Sequence, residues 1–289
     1  MKHRLTVAMA AAAFTASCGD VNAALEHLSQ ARHLSADLRV QFTKASNATD
    51  RAVMADTDAA SVTYTKDAGA AKDAIHSDLA ALRPLLAALR YSDETAILAQ
   101  FETRLADYEQ LDRQILELAV ENTNLKAQAL SFGAAQAAAD TLSQNVDAVR
   151  PVSSGEAWHV KALAALAISA VRETQVLQAP HIAASEDASM SGIEARMEAA
   201  ETTARDALAA LSPLVDRPSR THLDAATDAL NRFVEVNARI VGFSRRNSNV
   251  RSLAMALNQK PARVAACEQS LRALDDALAH HGLPKGRWE

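Results

Sequence analysis

From Ala24 onward the chain is a succession of segments in which apolar residues recur every three or four positions, the spacing that places side chains on one buried helical face. The clearest stripe is Leu98, Phe101, Leu105, Tyr108, Leu111, Ile115 and Leu118. A second runs through Ile193, Met197, Ala200, Ala204, Leu208, Leu211 and Val215. Further helices are read from 24 to about 54, with a polar end after Ser46 that is expected to fray or face a partner, and from 59 to 89. Others carry Leu125, Leu130, Leu142 and Val146; Leu163, Leu166, Val171, Val176 and Leu177; and Leu223, Leu230, Phe233, Val236 and Ile240. The last carries Val250, Leu253, Leu257, Val264, Leu271, Leu274 and Leu278, before the stop residues Gly282 and Pro284. Ser92 is read as a helix N-cap, and Ser219 or Thr221 as another. The pattern predicts an all-α fold.

The segments fall into two similar sets. NTNLKAQALSF, from Asn122 to Phe132, matches NSNVRSLAMAL, from Asn247 to Leu257, at an offset of 125 residues. Upstream, LAALRPLL from Leu79 matches LAALSPLV from Leu208 at an offset of 129. Pro84 and Pro213 thus share a position, which suggests a kink or helix end common to both copies. The repeated turn motif is Asn122, Asn124 and Lys126, then Asn247, Asn249 and Arg251. Asn-x-Asn between two apolar-periodic runs reads as a short turn that caps the following helix. Breaks at Pro151–Gly155 and at Asp216–Ser219 supply two main connections. The expectation is eight main helices in two tandem antiparallel four-helix bundles, 24–150 and 151–289, after a signal segment over 1–23. A fragment from Ala24 to Val149 is then expected to unfold cooperatively.

Composition narrows the reading. Of 289 residues, 49% are hydrophobic and only 4% aromatic, which points to close helix packing through Ala and Leu. The formal charge is -5, and no basic block is interleaved with aromatic residues, so nucleic acid is not an expected partner. Lys2 and Arg4 precede a short apolar run from Leu5 to Ala16 with the shape of a secretory signal. Two processings compete: cleavage after Ala23, or lipidation of Cys18 in Ala16-Ser17-Cys18-Gly19. Either places the chain in the bacterial periplasm, and the second tethers it to a membrane by lipid. Cys267, aligned with Leu142 of the first copy, reads as a small buried thiol.

The chain carries no Gly-rich phosphate loop, zinc motif, nucleophile elbow, Cys-x-x-Cys pair or calcium loop. It is therefore read as a non-enzyme without cofactor or metal. The adjacent His280 and His281 read as a solvated terminus, because neighbouring helical side chains diverge. Arginine is the more useful residue here, since its guanidinium can hold a carboxylate through two hydrogen bonds. Arg32, Arg39, Arg172, Arg245, Arg246 and Arg251 are the ligand-binding candidates for a small anion, set against structural caps and salt bridges for the same side chains.

FSRRNSNVRSLAMAL, from Phe243 to Leu257, and LELAVENTNLKAQALSFG, from Leu116 to Gly133, resemble the double all-helical ligand-binding domain of bacterial signal-transduction proteins. The sensor bundles of bacterial chemoreceptors are a second likeness. The resemblance implies a duplicated helical unit that recognises a small ligand or a partner protein and passes the event to a membrane-linked module. The chain departs from that plan in showing no second membrane span and no output domain. The expected function is a periplasmic sensor-like binding or interaction module for a small anionic metabolite, with a membrane protein or a second copy as partner. The alternative is a structural, envelope-associated helical protein without a small ligand.

Overall fold

The computed structural model describes residues 4–281, with side chains described from residue 22. The candidate lipidation residue Cys18, nearly all of the expected signal segment, and the stop residues Gly282 and Pro284 lie outside the described side chains. The fold is all-α. Its helices are α1 (Arg4–Val53), α2 (Asp58–Leu89), α3 (Ser92–Glu121), α4 (Thr123–Leu130) and α5 (Gln136–Ala148), the last two joined by a π turn, Ser131–Ala135. After a 3₁₀ turn come α6 (Ala157–Ala183), α7 (Asp187–Leu211), α8 (Arg220–Arg246), α9 (Ser248–Asn258) and α10 (Lys260–His280). Among the described residues no helix is long and apolar enough to cross a membrane.

The chain forms two compact units, and they do not follow the expected division at residue 150. One comprises Met1–Val120 with Ser252–Glu289, the other Glu121–Arg251. Helical periodicity shows which face of a helix is buried but not which neighbour buries it, so the repeat alone could not assign α10 to the first three helices.

In unit 1, four helices share one core. Leu38 and Phe42 of α1, Ile75 and Leu82 of α2, Phe101 and Tyr108 of α3, and Leu271 and Leu274 of α10 are all buried in it. Phe42 meets Phe101 and Tyr108 edge-on, with ring centroids 6.3 and 5.0 Å apart. The stripe expected on α3 is buried except for Leu118, which is half-buried. The polar end of α1 does not fray: Thr49 is fully buried, and its Oγ1 donates to Asp112 Oδ1 at 2.6 Å. Asp112, also buried, accepts from Lys72 Nζ at 2.7 Å and from the Tyr108 hydroxyl at 3.1 Å. Burial, chiefly, pushes the Tyr108 phenol well above its ordinary pKa. Cys267 and Leu142 are both fully buried, as their alignment implies, and desolvation raises the thiol to about 12.

In unit 2 the α4–π–α5 rod packs with α6, α7 and α8. α6 presents small residues to this core, Ala164, Ala167 and Ala170, whereas the expected Leu166 and Val176 are exposed. Small side chains allow close helix approach, which is how an Ala-rich sequence reaches native packing density. Gly133 does not end its helix but sits in the π turn, a one-residue widening of the helix. Pro151 is an internal connection of this unit and not a linker. Val152 N donates to Leu214 O and Asp216 N to Arg150 O, at 2.8 and 3.0 Å, and the Ser219 hydroxyl accepts from Arg150 N at 2.8 Å. Ser219 therefore ties the two connections together in place of capping α8. Pro84 lies inside α2, which continues to Leu89, and Pro213 lies just beyond α7, so the shared proline is within a helix in one copy and past a helix end in the other.

The remaining departures are local. Ser92 is the first residue of α3, its hydroxyl directed to the Asp93 carboxylate. Leu253 and Leu257 are exposed, and the apolar residue buried in their place is Ala256. His281 stacks on Tyr91 at 3.8 Å and meets Glu94 at 2.6 Å, so this residue just beyond α10 is anchored and not merely solvated.

Candidate functional site

The repeated Asn-x-Asn turns face each other within unit 2. Asn122 and Asn247 both adopt the left-handed conformation, with φ 49° and 53°. Asparagine tolerates this region better than most side chains, which explains its presence at both one-residue turns. The expected caps exist, but each is supplied by the opposite copy. Thr123 N donates to Ser248 Oγ and Ser248 N to Thr123 Oγ1, at 3.1 and 3.0 Å. Asn124 N donates to Asn249 Oδ1 and Asn249 N to Asn124 Oδ1, at 3.1 and 3.2 Å. The first amides of α4 and α9 are thereby satisfied reciprocally, as two copies of a turn facing across a local two-fold require.

The symmetry breaks at the remaining amide groups. Asn247 Nδ2 donates to Ala184 O at 2.8 Å, whereas Asn122 Nδ2 is buried without a hydrogen-bond partner among the described residues. The side chains also cross: Asn249 Nδ2 donates to Asn122 Oδ1, and Asn124 Nδ2 to Asn247 Oδ1, both at 2.9 Å.

The six candidate arginines do not converge on one cavity. In unit 1, Arg32 caps the end of α10 through Leu278 O, Ala279 O and His281 O, and Arg39 pairs with Asp275 at 2.7 Å. In unit 2, Arg172 pairs with Asp140 at 2.8 Å. Arg246 forks onto Glu121, the residue that occupies its own position in the other copy. The Arg246 guanidinium, with Arg251 and Lys126 nearby, holds the Glu121 carboxyl below its ordinary pKa. Lys126 Nζ also donates to Glu121 O at 2.7 Å. Arg245 grips Glu194 through two bonds of 2.7 and 2.8 Å and reaches Ser191 at 2.8 Å.

Glu194 leads to a site that sequence reasoning missed. It meets Nε2 of His181, a fully buried residue, at 2.8 Å, while His181 Nδ1 lies 2.8 Å from Ser244 Oγ. Arg245, then burial, then His181 act on the Glu194 carboxyl, and the net effect lowers its pKa. Beside this cluster a cavity of about 310 Å³ opens between α6, α7 and α8. Its apolar lining includes Val171, Met197, Leu230 and Phe233, all buried. Its polar lining is Thr174, Asn237 and three glutamates, Glu194, Glu198 and Glu201. Asn237 is fixed by Gln178, whose Nε2 donates to Asn237 Oδ1 at 2.9 Å, and Gln178 in turn accepts from Ser131 of the π turn at 2.6 Å. A concave apolar surface carrying a few positioned polar groups is the usual form of a small-molecule site, and this volume lies at the small end of that range. The one sequence clue was glutamate recurring three or four residues apart at 194, 198 and 201 beside the apolar stripe of α7.

A larger cavity of about 550 Å³ lies along α5 and α6, lined chiefly by aliphatic residues with Asp147, Arg150 and Lys161. Among the described residues no group of three or more His, Cys, Asp or Glu is placed to hold a metal ion. No family model, curated protein or solved structure matches this chain.

Proposed function

We propose that the chain is a sensor-like binding module of the bacterial periplasm, built of two four-helix bundles and acting by binding, without catalysis of its own. The observation that carries this reading is the α6–α7–α8 groove, apolar at its floor and bounded by polar side chains of which Thr174, Asn237, Glu194 and Glu201 are already oriented by their neighbours. A site whose polar groups are held in place before the ligand arrives loses less free energy to ordering on binding. The arginine-held anion has less support, because Arg32, Arg39, Arg172, Arg245 and Arg246 are engaged with carboxylates and carbonyls of the protein itself, and the exposed Arg251 lines none of the cavities described above. That same engagement favours the second reading, a structural helical protein of the envelope.

Thermal unfolding of the full chain against a set of amines, amino acids and organic acids separates the two. Binding raises the melting temperature for particular compounds, and Ala238→Trp, which fills the groove from an exposed position, removes the rise. A set without any stabilising member, or stabilisation untouched by Ala238→Trp, favours the structural reading. Cell fractionation of the full chain and of Cys18→Ser tests the envelope location and the lipid tether.

A further inference from the structure

We infer that the α6–α7–α8 groove selects a small amphipathic cation, an ammonium group carried on a short hydrocarbon. The inference rests on the reading of this groove as a binding site and adds the chemistry of its occupant. Every charged residue lining the groove is a glutamate. Two of them already hold arginines, Glu194 with Arg245 and Glu201 with Arg205. Glu198 makes no side-chain hydrogen bond or ion pair among the described residues, and it is exposed at the groove. One carboxylate is thus left for a ligand, at a position where an ammonium need not surrender all of its water.

The interior suits the rest of such a molecule. Met197, Leu230 and Phe233 are buried at its wall and offer dispersion contacts to a hydrocarbon chain. An aromatic ring and a thioether both attract the polarised carbons next to an ammonium. An anion finds little here. The one side-chain N–H on the lining belongs to Asn237, whose Nδ2 is directed at Met197 Sδ at 3.7 Å, and the Thr174 hydroxyl points back to Ala170 O at 3.4 Å. A carboxylate would meet the uncompensated Glu198 and find no cation on the lining, since Arg245 and Arg205 are already held by Glu194 and Glu201.

The test is isothermal titration of the full chain at low ionic strength with hexylammonium, hexan-1-ol and hexanoate, which differ chiefly in their head groups. Hexylammonium is expected to bind saturably and at least about tenfold more tightly than hexanoate, since like-charge juxtaposition is costly. Glu198→Gln, which has no internal partner to lose, is expected to weaken it about two- to fivefold, within the range for an exposed ion pair. Ala238→Trp is expected to abolish it. Binding of hexan-1-ol or hexanoate as tight as that of hexylammonium, and lost in Ala238→Trp, overturns the cation inference while leaving the groove a binding site. Hexylammonium binding that survives Ala238→Trp, or no binding at all, also overturns it, and the wider thermal-shift set then decides whether the groove binds anything.

Discussion

Asn124 and Asn249 cap each other's helices: the backbone N–H of each donates to the side-chain Oδ1 of the other. Each side chain also uses its amide nitrogen, Asn124 toward Asn247 and Ile182 O, Asn249 toward Asn122. Asn124→Ala therefore strands several buried groups and is expected to cost about 2–4 kcal/mol in urea unfolding. Asn249→Ala should cost a similar amount, and the double variant at least about 1 kcal/mol less than the sum. The broken symmetry adds a sharper contrast. Asn247→Gly loses the bond to Ala184 O, so it should cost about 1 kcal/mol more than Asn122→Gly, whose Nδ2 has no partner to lose. Equal costs would show that Asn122 makes a compensating contact in solution.

Lys72 compensates the buried Asp112 carboxylate in unit 1. Lys72→Met should destabilise the protein by about 3 kcal/mol, because removing one partner leaves the other charge buried and unpaired. In an Asp112→Asn background the same substitution should cost less than about 1 kcal/mol. A similar loss in both backgrounds would mean that packing of the lysine stem, and not the charge, is what matters.

Acid should weaken unit 2 through its paired carboxylates. Glu121, Asp140, Glu194 and Asp216 all have pKa values below their ordinary range in the folded state. A depressed folded pKa contributes stability that is fully present above the unfolded value and is lost as pH falls through the folded one. The urea midpoint is thus expected to hold from pH 7 to about 5 and to fall steadily below about 4.5, from the ordinary carboxylate range downward. Arg245→Leu removes the largest cause acting on Glu194, so the variant should be less stable at pH 7 and lose less on acidification. An unchanged acid slope in that variant would remove the Glu194–Arg245 pair from the account.

The packing topology makes a prediction opposite to that of the repeat. A fragment spanning 121–251 contains all of unit 2 and should unfold cooperatively, whereas Ala24–Val149 lacks α10 and includes α4 and α5 without their partners. Circular dichroism in urea should give a sigmoidal transition for the first and a gradual one for the second. The reverse result would restore the division at residue 150.

What was legible in the sequence was whatever repeats at short range. The α3 stripe, the prolines at connections and the paired Asn turns each have a local cause in helix periodicity, ring closure or left-handed backbone. Pairings between distant segments were not legible in the same way. Arg246 reads as a candidate anion ligand or as a salt-bridge partner until its bond to Glu121 is seen, although opposite charges at one position of a facing repeat were a clue to it. Leu253 and Leu257 fit the helical period yet are exposed, because the face that packs carries the small Ser252 and Ala256. The acidic groove needs three helices to exist, and only its glutamate spacing on α7 was visible beforehand.

The proposed function stands on a small molecule bound in the α6–α7–α8 groove. Its most direct test is a crystal structure of the full chain, purified without denaturation and grown with hexylammonium. Density is expected between α7 and α8, with the nitrogen within hydrogen-bond reach of Glu198, about 3 Å, and the hydrocarbon against Met197 and Phe233. A groove closed by its own side chains, or ligand density held instead by Arg172, Arg245 or Arg246, would contradict it.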